Sequence, residues 1–222
     1  MLSVSGGTRP SQHWDGVLTE TLSLGDVEQR WVLHLGQSFE DVPTTSVFYR
    51  FVETILHRGV TSGCSGTRFC PGTPVTREQL AALVLAAREG AGYRPPQCQA
   101  PLFYDVPVTS PFCPWIYELV RRGVVAGCTP SAYCPGAAVT REQIAVFVLR
   151  TLDPAMNPPA CTMPVFSDVP ATSPFCRWIE ELARRGIAAG CGSGNYCPGA
   201  PVTREQAAVF LSASFGLTLY GP

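Results

Sequence analysis

Apolar residues recur at helical spacing in one short stretch within each third of the chain. The pattern is clearest in the middle third, where one helical face carries Phe112, Ile116, Leu119 and Val120. Ser110 and Pro111 supply the N-cap and first-turn proline that favour a helix start, and Gly123 supplies a stop. The same slots elsewhere hold Phe48, Val52, Ile55, Leu56 with Gly59, and Phe175, Ile179, Leu182, Ala183 with Gly186.

A second helix is predicted to begin at each of three V-T-R-E-Q strings. In the middle string Thr140 is the N-cap, and Gln143, three residues later, completes a capping box. An apolar stripe follows at Ile144, Phe147 and Val148. The equivalent capping pairs are Thr76 with Gln79 and Thr203 with Gln206. Between the two helices, the segment from Gly-Cys to Cys-Pro-Gly predicts a loop, so each unit is helix, loop, helix.

The three units align without gaps from Phe39, Phe103 and Phe166, which makes the chain a triplicated module. We divide it into a first copy (37–90), a second copy (91–153) and a third copy (154–222). A unit with two short helices buries little core alone, but three apolar faces can cover one another. Three copies without a polar capping repeat favour a closed cluster over a linear stack. The predicted fold class is therefore mainly α, a pseudo-three-fold cluster of tandem helix-loop-helix repeats.

Residues 1–36 belong to no copy and form an N-terminal extension. A weak alternation there predicts the last strands of a preceding β-domain; its apolar positions are Leu22, Leu24, Trp31, Leu33 and Leu35. The first residues lack the charged and apolar regions of a secretory signal. We therefore expect this chain to be the C-terminal part of a longer one.

Composition excludes several classes of protein. Hydrophobic residues make up 45% of the chain and charged residues 15%, which is too apolar for a disordered protein. A net charge of −1 excludes a general nucleic-acid binder. No apolar run is long enough to predict a transmembrane segment. The sequence shows no Ser/His/Asp set, phosphate loop or metal-ligand cluster, so we expect neither an enzyme nor a cofactor.

Ten cysteines predict disulfides and an oxidising, extracellular compartment. The second and third copies hold four each, and the first holds two, with His34 and Tyr49 at the missing positions. Because both of these cysteines are missing from the same copy, we interpret them as the two partners of one disulfide. The predicted pairs are Cys64–Cys70, Cys98–Cys113, Cys128–Cys134, Cys161–Cys176 and Cys191–Cys197. Structural zinc is the alternative, disfavoured because the second and third copies contain no histidine and lack close Cys-x2-Cys pairs.

The arginines of the V-T-R-E-Q strings are the candidate functional residues. A helix start suits the capping residues and also the glutamates at Glu78, Glu142 and Glu205. An arginine at this position is mildly unfavourable, because its positive charge faces the positive end of the helix dipole. The three arginines are Arg77, Arg141 and Arg204. Two explanations stay open and can coexist: each arginine pairs with a carboxylate, for which Asp41, Asp105 and Asp168 are the candidates, or each helps to bind an anionic ligand.

Five motifs occur in a fixed order in the chain: F-x-D-V-P, R-R-G-[VI], G-C, [FY]-C-P-G and V-T-R-E-Q. On these motifs the chain resembles the S-layer homology (SLH) repeat over about residues 37–215. That resemblance implies a three-pronged pseudo-trimer of helical hairpins that anchors proteins non-covalently to the cell envelope. It implies binding of acidic, often pyruvylated, cell-wall polysaccharide in grooves between the prongs. The ligand's acid group would contact Arg77, Arg141 and Arg204, and first-helix aromatic residues would line the grooves at Trp115 and Trp178, with Phe51 in the first copy.

Two functions follow as hypotheses. The first is a non-catalytic, extracellular anchor whose partner is cell-wall polysaccharide or another peptidoglycan-linked glycan. The alternative is a structural module with the SLH shape that binds other surface proteins or itself, assembling a surface layer or filament without binding sugar.

Overall fold

A computed structural model describes residues 37–220 in full and, before them, the backbone of three strands. The strands are β1 (Leu2–Gly6), β2 (Asp15–Thr21) and β3 (Glu28–His34). They form an antiparallel sheet in the order β1-β2-β3, with Leu2 opposite Glu20 and Asp15 opposite His34. Of the alternating residues in the extension, Trp31 and Leu33 lie in β3. Leu22, Leu24 and Leu35 lie outside the described residues.

The rest of the described chain is helical, in agreement with the predicted fold class. The helices are α1 (Tyr49–His57), α2 (Arg77–Glu89), α3 (Cys113–Arg121), α4 (Arg141–Leu152), α5 (Cys176–Arg184) and α6 (Arg204–Ser214). Among these helices none is both long enough and apolar enough to cross a bilayer.

The first helix of each copy starts later than predicted. Ser110 is not the N-cap of α3: the cap is Phe112, and the helix begins at Cys113. The Cys113 N–H donates to the Ser110 carbonyl at 3.1 Å, so Ser110 and Pro111 belong to a separate turn that precedes the helix. The predicted glycine stop is correct, since Gly123 follows the C-cap with φ of +70°.

The second helices begin as predicted. The Thr76 N–H donates to Gln79 Oε1 at 3.2 Å, and the Gln79 N–H donates back to Thr76 Oγ1 at 3.4 Å. Both halves of this capping box recur at Thr203, and the Thr140 N–H donates to Gln143 Oε1 at 3.3 Å. The capping residues therefore satisfy backbone groups at the helix ends, as the sequence pattern requires.

A ring of backbone hydrogen bonds links the three copies at the centre of the molecule. The Val75 N–H donates to Val202 O at 2.9 Å, the Val202 N–H to Val139 O at 2.8 Å, and the Val139 N–H to Val75 O at 2.9 Å. All three valines are completely buried. The three bonds form a closed cycle, whereas a linear stack of copies would leave the first and last copies without a bond between them. We call Val75, Val139 and Val202 the central ring.

Disulfides brace the loops and linkers of the three copies. The structure contains the five pairs predicted from the copies. Three of them close the short loops between helices, while Cys98–Cys113 and Cys161–Cys176 tie the incoming linkers to the starts of α3 and α5. Every cysteine sulfur of the described region is engaged in one of these disulfides.

Candidate ligand site between the copies

Each V-T-R-E-Q arginine reaches from its own copy into the next. Arg141 donates its Nε–H to Tyr196 O at 2.7 Å, and its guanidinium lies 4.7 Å from the centre of the Tyr196 ring. Arg77 makes the same contacts with Tyr133 of the second copy, and Arg204 makes them with Phe69 of the first. The arginines therefore join neighbouring copies by hydrogen bonds to carbonyls and by cation–π contacts.

Of the two explanations left open for the arginines, pairing with the aspartates is not observed in residues 37–220. The Asp105 carboxylate instead accepts the N–H groups of Tyr133 and Cys134, both at 2.8 Å. Asp41 and Asp168 accept the equivalent pairs of N–H groups, and no ion pair joins any of the three aspartates to Arg77, Arg141 or Arg204 within residues 37–220. The attraction between Arg141 and Asp168, and between Arg204 and Asp41, acts through space.

These aspartates shape the loops that receive the arginines. Cys134 has φ of +58°, and Cys70 and Cys197 have nearly the same value, a conformation that costs energy for any residue except glycine. Two hydrogen bonds to a carboxylate help to hold each loop there. Burial alone would raise the pKa of Asp168, but the N–H groups of Tyr196 and Cys197 outweigh it and lower that pKa, so the carboxylate stays ionised.

A cavity of about 330 Å³ lies beside Arg141 where all three copies meet. The first copy contributes Phe48, and the second contributes Arg141. The third contributes the 186–190 loop together with Gln206, Val209 and Phe210. Arg141 is only 8% exposed, and it is the one charged side chain among the residues that line this cavity.

The three arginines differ in the donors they have left. A terminal nitrogen of Arg77 donates to Ala126 O at 3.1 Å, in addition to the bond from Nε. Within the fully described part of the chain, Arg141 and Arg204 use only Nε, so their terminal N–H groups remain available to a ligand. Burial lowers the pKa of Arg204, and Asp41 opposes that shift. Arg141 is the one of the three arginines that lines the cavity.

Neither of the tryptophans expected to line the grooves is among the residues that line the cavity beside Arg141. Trp178 is 7% exposed and packs beneath the Arg150 guanidinium, 5.2 Å from it, beside a different cavity. Trp115 contacts the Tyr93 ring, with 6.2 Å between ring centres. The aromatic walls beside Arg141 are instead Phe48 and Phe210. The sequence marked Phe48 only as an apolar helix position, and nothing in the pattern distinguished Phe210.

Two segments of the chain match the model of the S-layer homology domain: residues 38–81, which contain Arg77, and residues 165–208, which contain Arg204. The copy that carries Arg141 lies between these two SLH segments.

Similarity to curated proteins extends over a larger part of the chain. An endoglucanase from Bacillus sp. (strain KSM-635) is 26% identical in an alignment of 183 residues that covers 78% of this chain and 18% of that protein. The Surface-layer 125 kDa protein of Lysinibacillus sphaericus is 27% identical in an alignment of 120 residues that covers 52% of this chain and 10% of that protein. The chain therefore spans less than a fifth of the length of either relative.

Proposed function

We propose that this chain is a non-catalytic module that anchors proteins to the cell envelope by binding acidic cell-wall polysaccharide beside Arg141. The two SLH segments and the likeness to a surface-layer protein support this role and an extracellular location. We also propose that the second copy (91–153) is a third SLH repeat between the first (37–90) and the third (154–222). Its central-ring and arginine contacts are equivalent to theirs.

The observation that carries the proposal is a fixed cation in a cavity built by all three copies. Arg141 is held at Nε by the Tyr196 carbonyl and packs over the Tyr196 ring, so its orientation is set before a ligand arrives. Its terminal N–H groups can then pair with a carboxylate at small entropic cost. Phe48, Val209 and Phe210 give apolar walls against which the carbon face of a sugar can pack.

Co-sedimentation with purified cell-wall sacculi tests this function. The unmodified protein should pellet with intact sacculi and stay in solution once acid has removed the attached polysaccharide. Arg141→Gln should abolish pelleting, while Arg88→Gln, at an exposed position near the end of α2, should leave it unchanged. Pelleting that survives removal of the polysaccharide, or no pelleting in either condition, would sink the proposal.

A second variant separates loss of the ligand contact from loss of the fold. Val209→Phe places a ring in the cavity without removing any hydrogen bond of Arg141. It should prevent pelleting while the melting temperature stays close to that of the unmodified protein. If both Arg141→Gln and Val209→Phe still pellet normally, the cavity is not the binding site.

The alternative, assembly through protein contacts, has an observation of its own. Large apolar side chains stand exposed on the surface, namely Val47, Tyr104, Met163 and Val165. Exposed apolar groups favour protein contacts when they are contiguous. Sedimentation velocity distinguishes the two functions: concentration-dependent self-association without pelleting on sacculi would favour the assembly module.

A further inference from the structure

A second cavity, of about 400 Å³, lies at the junction of α4 and α5. Arg150 reaches it from α4, Arg177 and Trp178 from α5, and Asn157 and Ser173 from the segments between. No aspartate or glutamate is among the residues that line it. Two guanidinium groups therefore share one cavity without a carboxylate, an arrangement that favours an anion.

The polar groups of this cavity are mainly hydrogen-bond donors. One terminal nitrogen of Arg150 donates to Gly123 O at 3.1 Å, but its Nε–H is buried with no acceptor among the described residues. Arg177 donates to Asn157 Oδ1 at 2.9 Å, which leaves the Asn157 amide N–H groups as donors. Ser173 Oγ accepts the Phe175 N–H, so its own O–H is free to donate. An incoming acceptor would pair with the donors of Arg177, Asn157 and Ser173 together, whereas the buried Arg150 Nε does not reach the opening.

The combination of residues that lines this cavity is found at one junction between copies and is replaced at the equivalent positions of the other copies. Counted from the capping threonines, Asn157 corresponds to Tyr93 and Tyr220, and Arg150 corresponds to Ala86 and Ala213. In the second copy the Tyr93 ring packs against Trp115, the counterpart of Trp178. The shorter Asn157 leaves that space open in the third copy.

Where the third copy meets the first, Tyr220 stacks on His57, with ring centres 4.1 Å apart. Arg177 corresponds to Pro114 in the second copy and to Arg50 in the first. Only the junction of α4 and α5 thus combines an arginine at both positions with a small side chain between them.

From this arrangement we infer that the α4–α5 cavity binds a sugar-sized anion, a carboxylate- or phosphate-bearing saccharide unit. Its volume lies within the range of small-molecule sites, roughly 300–1,000 Å³. Arg150 and Arg177 pair with the anionic group, while Asn157 and Ser173 donate to it or to neighbouring hydroxyls. This site does not involve Arg141, so it stands independently of the proposed anchoring site.

Isothermal titration calorimetry with three probes tests the inference: glucuronate, glucose 6-phosphate and neutral glucose. At least one of the two anions should bind, and glucose should not. A preference for glucuronate or for glucose 6-phosphate identifies the carboxylate or the phosphate as the preferred group. Failure of both anions to bind at tens of millimolar, or equal binding of glucose, would overturn the inference.

Variants assign any binding to this cavity. Arg177→Gln should weaken binding at least about tenfold, and Asn157→Tyr should abolish it by restoring the ring found in the other copies. Arg50→Gln, at the equivalent position of α1, should bind as the unmodified protein does. Arg141→Gln should keep the part of the anion binding that Arg177→Gln removes, even if it no longer pellets with sacculi. Unchanged affinity in both Arg177→Gln and Asn157→Tyr, with normal melting temperatures, would refute the site.

Discussion

From the buried carboxylate of Glu118 we predict how the free energy of unfolding changes with pH. It accepts hydrogen bonds from Tyr93 at 3.0 Å, from Arg121 at 2.7 and 2.8 Å, and from Arg122 at 2.6 Å. The bonds from Arg121 lower its pKa most, burial opposes them, and Arg122 and Tyr93 add to the lowering. The pKa of Glu118 thereby falls from 4.5 to about 2.

The size of the effect follows from that shift. Each unit of pKa difference between folded and unfolded states corresponds to about 1.4 kcal/mol, so the fall from 4.5 to about 2 means that the charged form of Glu118 contributes roughly 3–3.5 kcal/mol. Because the folded pKa is the lower one, this stabilisation is complete above about pH 4.5 and is lost as the pH falls toward 2. Glu118→Gln should therefore unfold more easily than the unmodified protein at pH 7 and no more easily near pH 2.

Urea denaturation with the disulfides intact, followed by circular dichroism between pH 2 and pH 7, measures this difference. Other carboxylates titrate in both proteins, so their contributions cancel in the comparison. Glu181→Gln is the matched control, since Glu181 is held by Arg184 and Arg185 but accepts no hydrogen bond from a tyrosine within residues 37–220; its effect should be smaller. A free-energy difference that stays constant across this pH range would refute the electrostatic explanation.

Two further predictions concern a disulfide and a glycine in a loop. Replacing both Cys98 and Cys113 by serine should lower the melting temperature by roughly 6–12 °C, because the disulfide spans 15 residues and contributes about 3 kcal/mol; an unchanged melting temperature by calorimetry would contradict this. Gly127→Ala should cost more than about 3 kcal/mol, since a Cβ there would lie 2.3 Å from two carbonyl oxygens, of Thr129 and Ala132. Gly136→Ala, with nothing within 4 Å, is its control, and similar unfolding midpoints for the two variants would disprove the steric argument.

Local features of this chain were predictable because their causes lie close together in sequence. The capping threonine and glutamine are three residues apart, and the disulfide pairs followed from comparing one copy with another. The late start of α3 was missed because Ser110 and Pro111 suit a turn as well as a helix start. The hydrogen bond from Cys113 to the Ser110 carbonyl decides between the two.

The partners of the arginines could not be predicted in the same way. Arg141 and Tyr196 belong to different copies, so their contact exists only once the copies have assembled. The covering of Trp178 by Arg150 likewise depends on how α4 packs on α5. Such contacts depend on packing between distant segments, about which periodicity within one copy carries no information.

The central ring also sets an order of events during synthesis. The Val75 N–H belongs to the first copy, yet its acceptor is Val202, near the end of the last. The chain leaves the ribosome, or a secretion channel, from its N-terminal end, so the first copy must wait for the third before its innermost hydrogen bond can form. A nascent or partly translocated chain therefore carries an unfinished centre until the segment that contains Val202 has emerged.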